Sequence, residues 1–134
     1  RDVMERLEYK GIQFTSLISP DTRRWKGFTF GDGCIVYPGC EISCDVSLGK
    51  GVFLSSFTVL GHDCNLKDYV TCFPKSQISG KCHINETASI GSMAFLNEGI
   101  TVEAGAVVAP GSVVYTRVRE NTYVMGNPAH KMSI

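Results

Sequence analysis

Three histidines and six cysteines are the side chains of this 134-residue chain best suited to proton transfer, nucleophilic attack or metal binding. His62 stands in the segment Gly61-His62-Asp63-Cys64, where a carboxylate directly follows an imidazole. Free imidazole has a pKa of about 6.5, so it can take a proton from an attacking group at neutral pH. A carboxylate can hold such a ring in place. His62 is therefore a candidate general base, with Asp63 as its partner if the local turn brings the two side chains together.

A six-residue repeat positions these side chains. In steps of six from Phe30 to Val114, thirteen of the fifteen residues are Ile, Leu or Val. A second column, four residues further on, is small or β-branched. Two inward residues around one outward residue make a short strand, and the other three residues turn a corner. Three such sides complete a coil, so the repeat predicts an all-β fold, a parallel β-helix of about five coils from Phe30 onwards.

The repeat also gives the corners and the cysteines a structural role. Glycine tolerates a positive φ, and six glycines fall three places after the bulky column, at Gly33, Gly39, Gly51, Gly99, Gly105 and Gly111. Five cysteines fall in the inward columns, where they are expected to act as small core residues: Cys34, Cys40, Cys64, Cys72 and Cys82. There is no CxxC pair, and Cys40 with Cys44 could bind a metal only by breaking the repeat, so no metal is expected.

Composition argues against several classes of partner. Thirteen basic residues balance thirteen acidic ones, which gives no general attraction to nucleic acid or to an anionic membrane surface. No apolar run approaches the roughly 18 residues of a membrane-spanning helix. The start of the chain has a charged helical pattern rather than that of a signal peptide. We therefore expect a cytoplasmic protein with neither nucleic-acid nor membrane partners.

The sequence resembles the hexapeptide-repeat acyltransferases over about residues 17 to 131. Gly61-His62-Asp63-Cys64 is similar to the catalytic segment of the subgroup that acetylates sialic acids and amino sugars. Gly126-Asn127-Pro128-Ala129 resembles the closing segment of the family. The resemblance implies a left-handed β-helix, a homotrimer, acetyl-CoA as cosubstrate, and acetyl transfer to an amine or hydroxyl of a nucleotide-linked amino sugar or a sialic acid.

The same resemblance assigns roles to individual residues. His62 would deprotonate the acceptor, with Asp63 beside it. Gly80 lies one coil after His62, about 5 Å along the same corner, and would contact acetyl-CoA. From the spacing alone, an equal alternative is that Gly80 only forms a turn. Many members carry a second histidine nine residues after the base, where this chain has Thr71, which offers a hydroxyl and no charge. Cofactor contacts are also expected at Ser92, Ala109 and Arg117.

Three segments are expected along the chain. Residues 1–18 would form a helix over Arg1–Lys10, stopped by Gly11, and an extended linker. The resemblance identifies this segment as the remnant of a missing N-terminal domain. Residues 19–118 would form the β-helix, and residues 119–134 would cap its last coil.

Two other functions are compatible with a β-helix. One is a non-catalytic scaffold or binding surface. The other is a zinc hydratase of the carbonic anhydrase type, which needs three histidines around one metal. His83 is expected to face outward from a flat side and His130 to lie in the exposed tail, so the spacing does not favour such a site.

Overall fold

The computed structural model of the protein describes residues 1–132, which form one short helix and nineteen strands. Helix α1 (Asp2–Glu8) precedes the strands. Sheet 1 contains β1 (Leu17–Ile18), β4 (Ile35–Val36), β7 (Phe53–Leu54), β10 (Thr71–Cys72), β13 (Ser89–Ile90), β16 (Val107–Val108), β18 (Tyr123–Gly126) and β19 (Ala129–Lys131). Sheet 2 contains β2 (Arg23–Arg24), β5 (Glu41–Ile42), β8 (Val59–Leu60), β11 (Gln77–Ile78), β14 (Phe95–Leu96) and β17 (Val113–Val114). Sheet 3 contains β3 (Thr29–Phe30), β6 (Ser47–Leu48), β9 (Asn65–Leu66), β12 (His83–Ile84) and β15 (Thr101–Val102).

Each strand up to β17 pairs in parallel with the strand one coil away, so residues 18 apart lie side by side. This register confirms the predicted parallel β-helix. It has about six turns, because pairing already begins at Leu17, 13 residues before Phe30. At the C-terminal end β18 adds a parallel strand to sheet 1, and β19 folds back on it antiparallel to close the coil.

The core follows the two predicted columns. Bulky residues such as Ile42, Leu60 and Leu96 are almost completely buried, and small residues lie between them. All six cysteines are free thiols; the five predicted core cysteines are buried and Cys44 is half-exposed. Stacked aliphatic side chains therefore hold the coils together, since two-residue strands offer few hydrogen bonds each.

The corners repeat one backbone conformation whatever residue occupies them. The six predicted glycines have positive φ, as expected. Eight other residues of the same column adopt it too: Asp45, Phe57, Asp63, Tyr69, Lys75, Lys81, Thr87 and Met93. A left-handed non-glycine residue costs about 1–2 kcal/mol, so core packing in each coil must offset that strain.

The turns that follow the strands of sheets 1, 2 and 3 stack into three edges, which we name edge 1–2, edge 2–3 and edge 3–1. Helix α1 is shorter than the predicted Arg1–Lys10, has no buried residue, and lies against edge 3–1. There Met4 packs over Gly33, and Glu8 forms an ion pair with Lys50. Among the described residues, no helix has the length and apolar character needed to cross a membrane.

Candidate active site

His62 lies on edge 2–3, in the turn between β8 and β9. Two backbone hydrogen bonds fix this turn between its neighbours. The amide of Asp63 donates to the carbonyl of Cys44 at 3.0 Å, and the amide of Lys81 donates to the carbonyl of His62 at 2.7 Å. Asp63 has a left-handed backbone, with φ of 58°. The repeat of the β-helix therefore positions the backbone that carries both side chains.

The side chains of His62 and Asp63 are joined by a hydrogen bond. Nδ1 of His62 lies 2.8 Å from Oδ2 of Asp63. An ionised carboxylate only accepts hydrogen bonds, so Nδ1 donates and Nε2 of a neutral ring keeps its lone pair. The side chains are 46% and 54% exposed, which leaves both accessible to a bound substrate. The pair thus presents one free basic nitrogen at the surface of the edge.

Gly80 supports the ring from the next coil. A β-carbon built on Gly80 would lie 2.6 Å from Nε2 of His62, so the imidazole rests directly on the glycine. A β-carbon on Gly61 would collide with the amide nitrogen of Gly80. Within residues 1–132, that amide donates to no backbone or side-chain acceptor. Gly80 itself is buried, so the two glycines allow the coils to lie close together beside the histidine and leave this N–H without an acceptor in the described part of the chain.

An ion pair that sequence reasoning missed lies on the same edge. Nζ of Lys81 is 3.0 Å from Oε1 of Glu98. Glu98 raises the pKa of the Lys81 ammonium, and Lys81 lowers the pKa of the Glu98 carboxyl, to which His62 adds a smaller effect. Lys81 is one coil beyond Asp63, and Glu98 is two coils beyond His62. Adding one coil length to Asp63 and two coil lengths to His62 would have found both residues.

The other predicted site residues are distributed over the prism. Arg117 lies on edge 2–3, three coils beyond Asp63, and forms an ion pair with Glu103. That pairing lowers the pKa of the Glu103 carboxyl. Thr71 is on strand β10 of sheet 1, while Ser92 and Ala109 lie on edge 1–2, Ala109 with its side chain buried. Within one chain, none of these last three residues joins the edge that carries His62.

A cleft of about 350 Å³ lies at the C-terminal end of edge 2–3. Four of its lining side chains are basic: Arg117, Arg119, His130 and Lys131. Only Arg117 was predicted. The others come from the closing segment, whose fold-back as β18 and β19 the repeat does not encode.

The other two histidines, His83 and His130, do not form a metal-binding arrangement with His62. His83 is exposed on the flat face of sheet 3, as predicted, and His130 is exposed on β19. In the part of the chain that the structure describes, no three His, Cys, Asp or Glu side chains lie close enough to hold a metal ion.

No family model matches the chain. It is 30% identical over 135 residues to GDP-perosamine N-acetyltransferase of Escherichia coli O157:H7, covering 97% of this chain and 61% of that protein. The acetyltransferase domain of PglB from Neisseria gonorrhoeae is 27% identical, with a TM-score of 0.95, and the match covers 98% of this chain and 64% of that one. That domain has also been solved in complex with acetyl coenzyme A.

A third similarity supports the fold alone. A perosamine N-acetyltransferase variant from Caulobacter crescentus, solved in complex with CoA and GDP-perosamine, is 23% identical, with a TM-score of 0.96; the match covers 99% of this chain and 63% of that one. The chain thus spans less than two thirds of the length of these relatives. Their fold confirms the left-handed β-helix. Together, the six-residue repeat, the fold and these similarities show a hexapeptide-repeat, left-handed β-helix whose relatives include a GDP-perosamine N-acetyltransferase.

Proposed function

We propose that this chain transfers the acetyl group of acetyl-CoA to the amine of a nucleotide-linked amino sugar, with His62 as general base. The observation that carries the proposal is the hydrogen-bonded His62–Asp63 pair resting on Gly80, at an exposed edge of a fold shared with acetyltransferases. The similarity to GDP-perosamine N-acetyltransferase of Escherichia coli O157:H7 favours nitrogen over oxygen as the acceptor atom.

The proposed reaction is a direct transfer. The amine nitrogen attacks the carbonyl carbon of the thioester, and Nε2 of His62 takes the proton that the nitrogen loses as the new bond forms. The carbon–sulfur bond then breaks, and the leaving sulfur receives that proton from the imidazolium. The products are an amide and free CoA, and no covalent enzyme intermediate is needed. The carboxylate of Asp63 stabilises the imidazolium while it carries the proton.

The amide of Gly80, which has no acceptor within residues 1–132, would serve the second half of the mechanism. Negative charge develops on the carbonyl oxygen of the thioester as the amine attacks. A backbone N–H held in place before the reaction stabilises such charge at no cost in reorganisation. Because Gly80 lies beside Nε2, a thioester carbonyl placed next to the ring would also be close to this amide.

Acetyl-CoA would extend from Gly80 toward the C-terminal end of edge 2–3. Two further coils along the edge, about 10 Å, lead to Thr116 and Arg117, at the cleft with four basic side chains. Arginine and lysine side chains bind phosphate groups strongly, so this cleft is suited to the phosphates of CoA. On the other face of the chain, Thr71, Ser92 and Ala109 would meet the cofactor only if a second subunit brought them to the edge of the first.

A homotrimer would supply that second subunit. Edge 1–2 exposes four large apolar side chains, which single subunits of soluble proteins seldom group together: Tyr37, Phe57, Phe73 and Met93. Leu17 and Ile35 on sheet 1 continue this surface. Mass measurement in solution is expected to give three chains, and a Phe73→Asp variant is expected to dissociate. A Tyr9→Asp variant on helix α1, where the side chain is 95% exposed, serves as the matched control and should stay trimeric.

We also propose that the reaction takes place in the cytoplasm. Acetyl-CoA and activated sugars are made there, and six free cysteines fit a reducing compartment.

The function is tested by the release of free thiol when the protein is mixed with acetyl-CoA and a panel of nucleotide-linked and free amino sugars. Binding is measured separately as the rise in melting temperature with CoA, since a ligand that binds the folded state raises its stability. Turnover with an amino sugar supports an enzyme. No shift with CoA and no thiol release with any acceptor would favour the scaffold alternative.

A further inference from the structure

The ion pair between Lys81 and Glu98 lies on the edge that carries the proposed site, and the mechanism above gives it no role. Lys81 carries a primary amine, which is the chemical group that the proposed reaction acetylates. We propose that Lys81 is a competing acceptor within the protein itself and that Glu98 protects it from acetylation by binding its ammonium group. The inference rests on the proposed function and adds to it a guard against self-acetylation.

Lys81 lies close to the place where the thioester would react. It directly follows Gly80, on which the imidazole of His62 rests, and its amide donates to the carbonyl of His62 at 2.7 Å. The flexible four-carbon stem of a lysine can span the one coil, about 5 Å, that separates Lys81 from Asp63. Lys26, the other lysine of edge 2–3, is two coils before His62. Of these two lysines, Lys81 is the one within reach of a thioester held beside Gly80.

Self-acetylation would follow the same steps as the proposed reaction. The lysine ammonium first loses a proton to water, and the free amine attacks the carbonyl carbon of the thioester. Nε2 of His62 takes the proton that the nitrogen then gives up, the carbon–sulfur bond breaks, and the leaving sulfur receives that proton from the imidazolium. The products are Nε-acetyl-lysine and free CoA. Each event would consume one cosubstrate and remove a positive charge from the edge.

The charge of Glu98 opposes the first of these steps. Its Oε1 lies 3.0 Å from Nζ of Lys81, and the two side chains are 54% and 60% exposed, so the pair adds little to the stability of the fold. Glu98 raises the pKa of Lys81, and Asp63 adds a smaller effect in the same direction. Because only the unprotonated amine is a nucleophile, this ion pair lowers the reactive fraction of the lysine.

The position of Glu98 also keeps the amine away from the base. Glu98 is one coil beyond Gly80, on the side of the edge opposite to His62. In its own column Lys81 is followed by Gly99, where a β-carbon would meet no atom within 4 Å, so no side chain there confines it. The acid on the other side is Asp63, which is bonded to His62. Without Glu98, attraction to Asp63 would therefore draw the amine toward the imidazole.

The experiment incubates the full chain with acetyl-CoA and no acceptor, and measures acetylation of each lysine by mass spectrometry of its peptides. Lys81 should stay largely unmodified in the wild type. In Glu98→Gln it should be acetylated at least about fivefold faster, since an exposed ion pair shifts such an equilibrium by up to about that factor and the amine is also free to turn. A Glu98→Gln, His62→Asn double variant should lose this gain because it lacks the base.

Glu8→Gln is the matched control. Glu8 forms an ion pair with Lys50 on edge 3–1, away from the proposed site, so this variant frees a lysine without bringing it to the thioester. Acetylation of Lys50 in Glu8→Gln should stay at least about fivefold slower than that of Lys81 in Glu98→Gln. The melting temperature of each variant is measured to show that it is folded.

The outcomes separate this inference from the proposed function. Acetyl transfer to an amino sugar by the wild type, with Lys81 acetylated at the same rate in the wild type and in Glu98→Gln, would overturn the inference and leave the function standing. An equal gain at Lys81 in the double variant would also overturn it, because the reaction would then not depend on His62. A wild type that neither binds CoA nor acetylates any acceptor would contradict both.

Discussion

The imidazole of His62 rests on the α-carbon of Gly80, close enough that a β-carbon on Gly80 would lie 2.6 Å from Nε2. The neighbouring Gly61 faces backbone instead of a side chain. One glycine therefore sets the position of the proposed base, and the other sets the distance between two coils. These two roles lead to different outcomes when each glycine is replaced.

Gly80→Ala is expected to reduce kcat about a hundredfold with little change in melting temperature. The new methyl group displaces an exposed side chain that can rotate away, so the fold tolerates it, but a shift of about 1 Å at a reacting group can cost that much in rate. Gly61→Ala is the control within the same turn. Its β-carbon meets the backbone of Ser79 and Gly80, so it should lower the melting temperature clearly. A clear loss of stability in Gly80→Ala, with Gly61→Ala stable and less active, would contradict the assigned contacts.

Asp63→Asn is expected to lower kcat about tenfold, because an amide cannot stabilise the imidazolium with a full charge. The exposure of the pair keeps the effect below that of a buried carboxylate. Asparagine tolerates the left-handed backbone, so the turn should persist. Asp45→Asn is a matched control, since Asp45 has the same backbone conformation one coil earlier on edge 2–3. Equal kcat values for the two variants would argue against the partnership of His62 and Asp63.

Thr87→Gly is expected to stabilise the fold by about 1 kcal/mol. Thr87 is a β-branched residue with φ of 59° on edge 3–1, away from the proposed site, and glycine relieves that strain. Part of the gain is offset because glycine is more flexible in the unfolded chain. Thr101→Gly in strand β15 should instead destabilise. Chemical denaturation of both variants measures the difference, and a loss of stability at position 87 would contradict the strain argument.

The cysteines are expected to react with a thiol reagent at very different rates. Burial raises the pKa of Cys72 to about 12, so this thiol stays protonated at pH 8, well below its pKa, and lacks the reactive thiolate. The other four core cysteines are sterically shielded, whereas Cys44 is half-exposed. Rapid labelling of one thiol in the native protein and of six after denaturation would bear out this arrangement. Rapid labelling of several thiols in the native protein would contradict the core placement of the cysteines.

Much of the fold could be predicted because every sixth residue faces inward and the pattern repeats over many coils. The largely aliphatic column from Val36 to Val114 and the small residues beside it are compatible with few folds other than a β-helix. The left-handed corners at residues such as Phe57 and Thr87 could not be predicted, since nothing in their types favours a positive φ. There the demands of the stacked core override local preference.

The site was predictable to a similar extent. The coil length correctly places Gly80 beside His62, and applied further it would also have led to Lys81 and Glu98. The hydrogen bond between His62 and Asp63 depends on the backbone angle of Asp63, which the sequence does not reveal. The basic cleft depends on how the closing segment folds back, outside the repeat.

The central claim, that His62 is the general base, is tested most directly by a His62→Asn variant assayed in parallel for CoA binding and for acetyl transfer. Positioned acid–base catalysis contributes about a hundred- to ten-thousandfold to the rate. The variant should therefore reduce kcat for an amino-sugar acceptor by a factor in that range. The melting-temperature shift with CoA should remain, because the ring is exposed and supports no core packing. Wild-type turnover by His62→Asn, at unchanged CoA affinity, would contradict the claim.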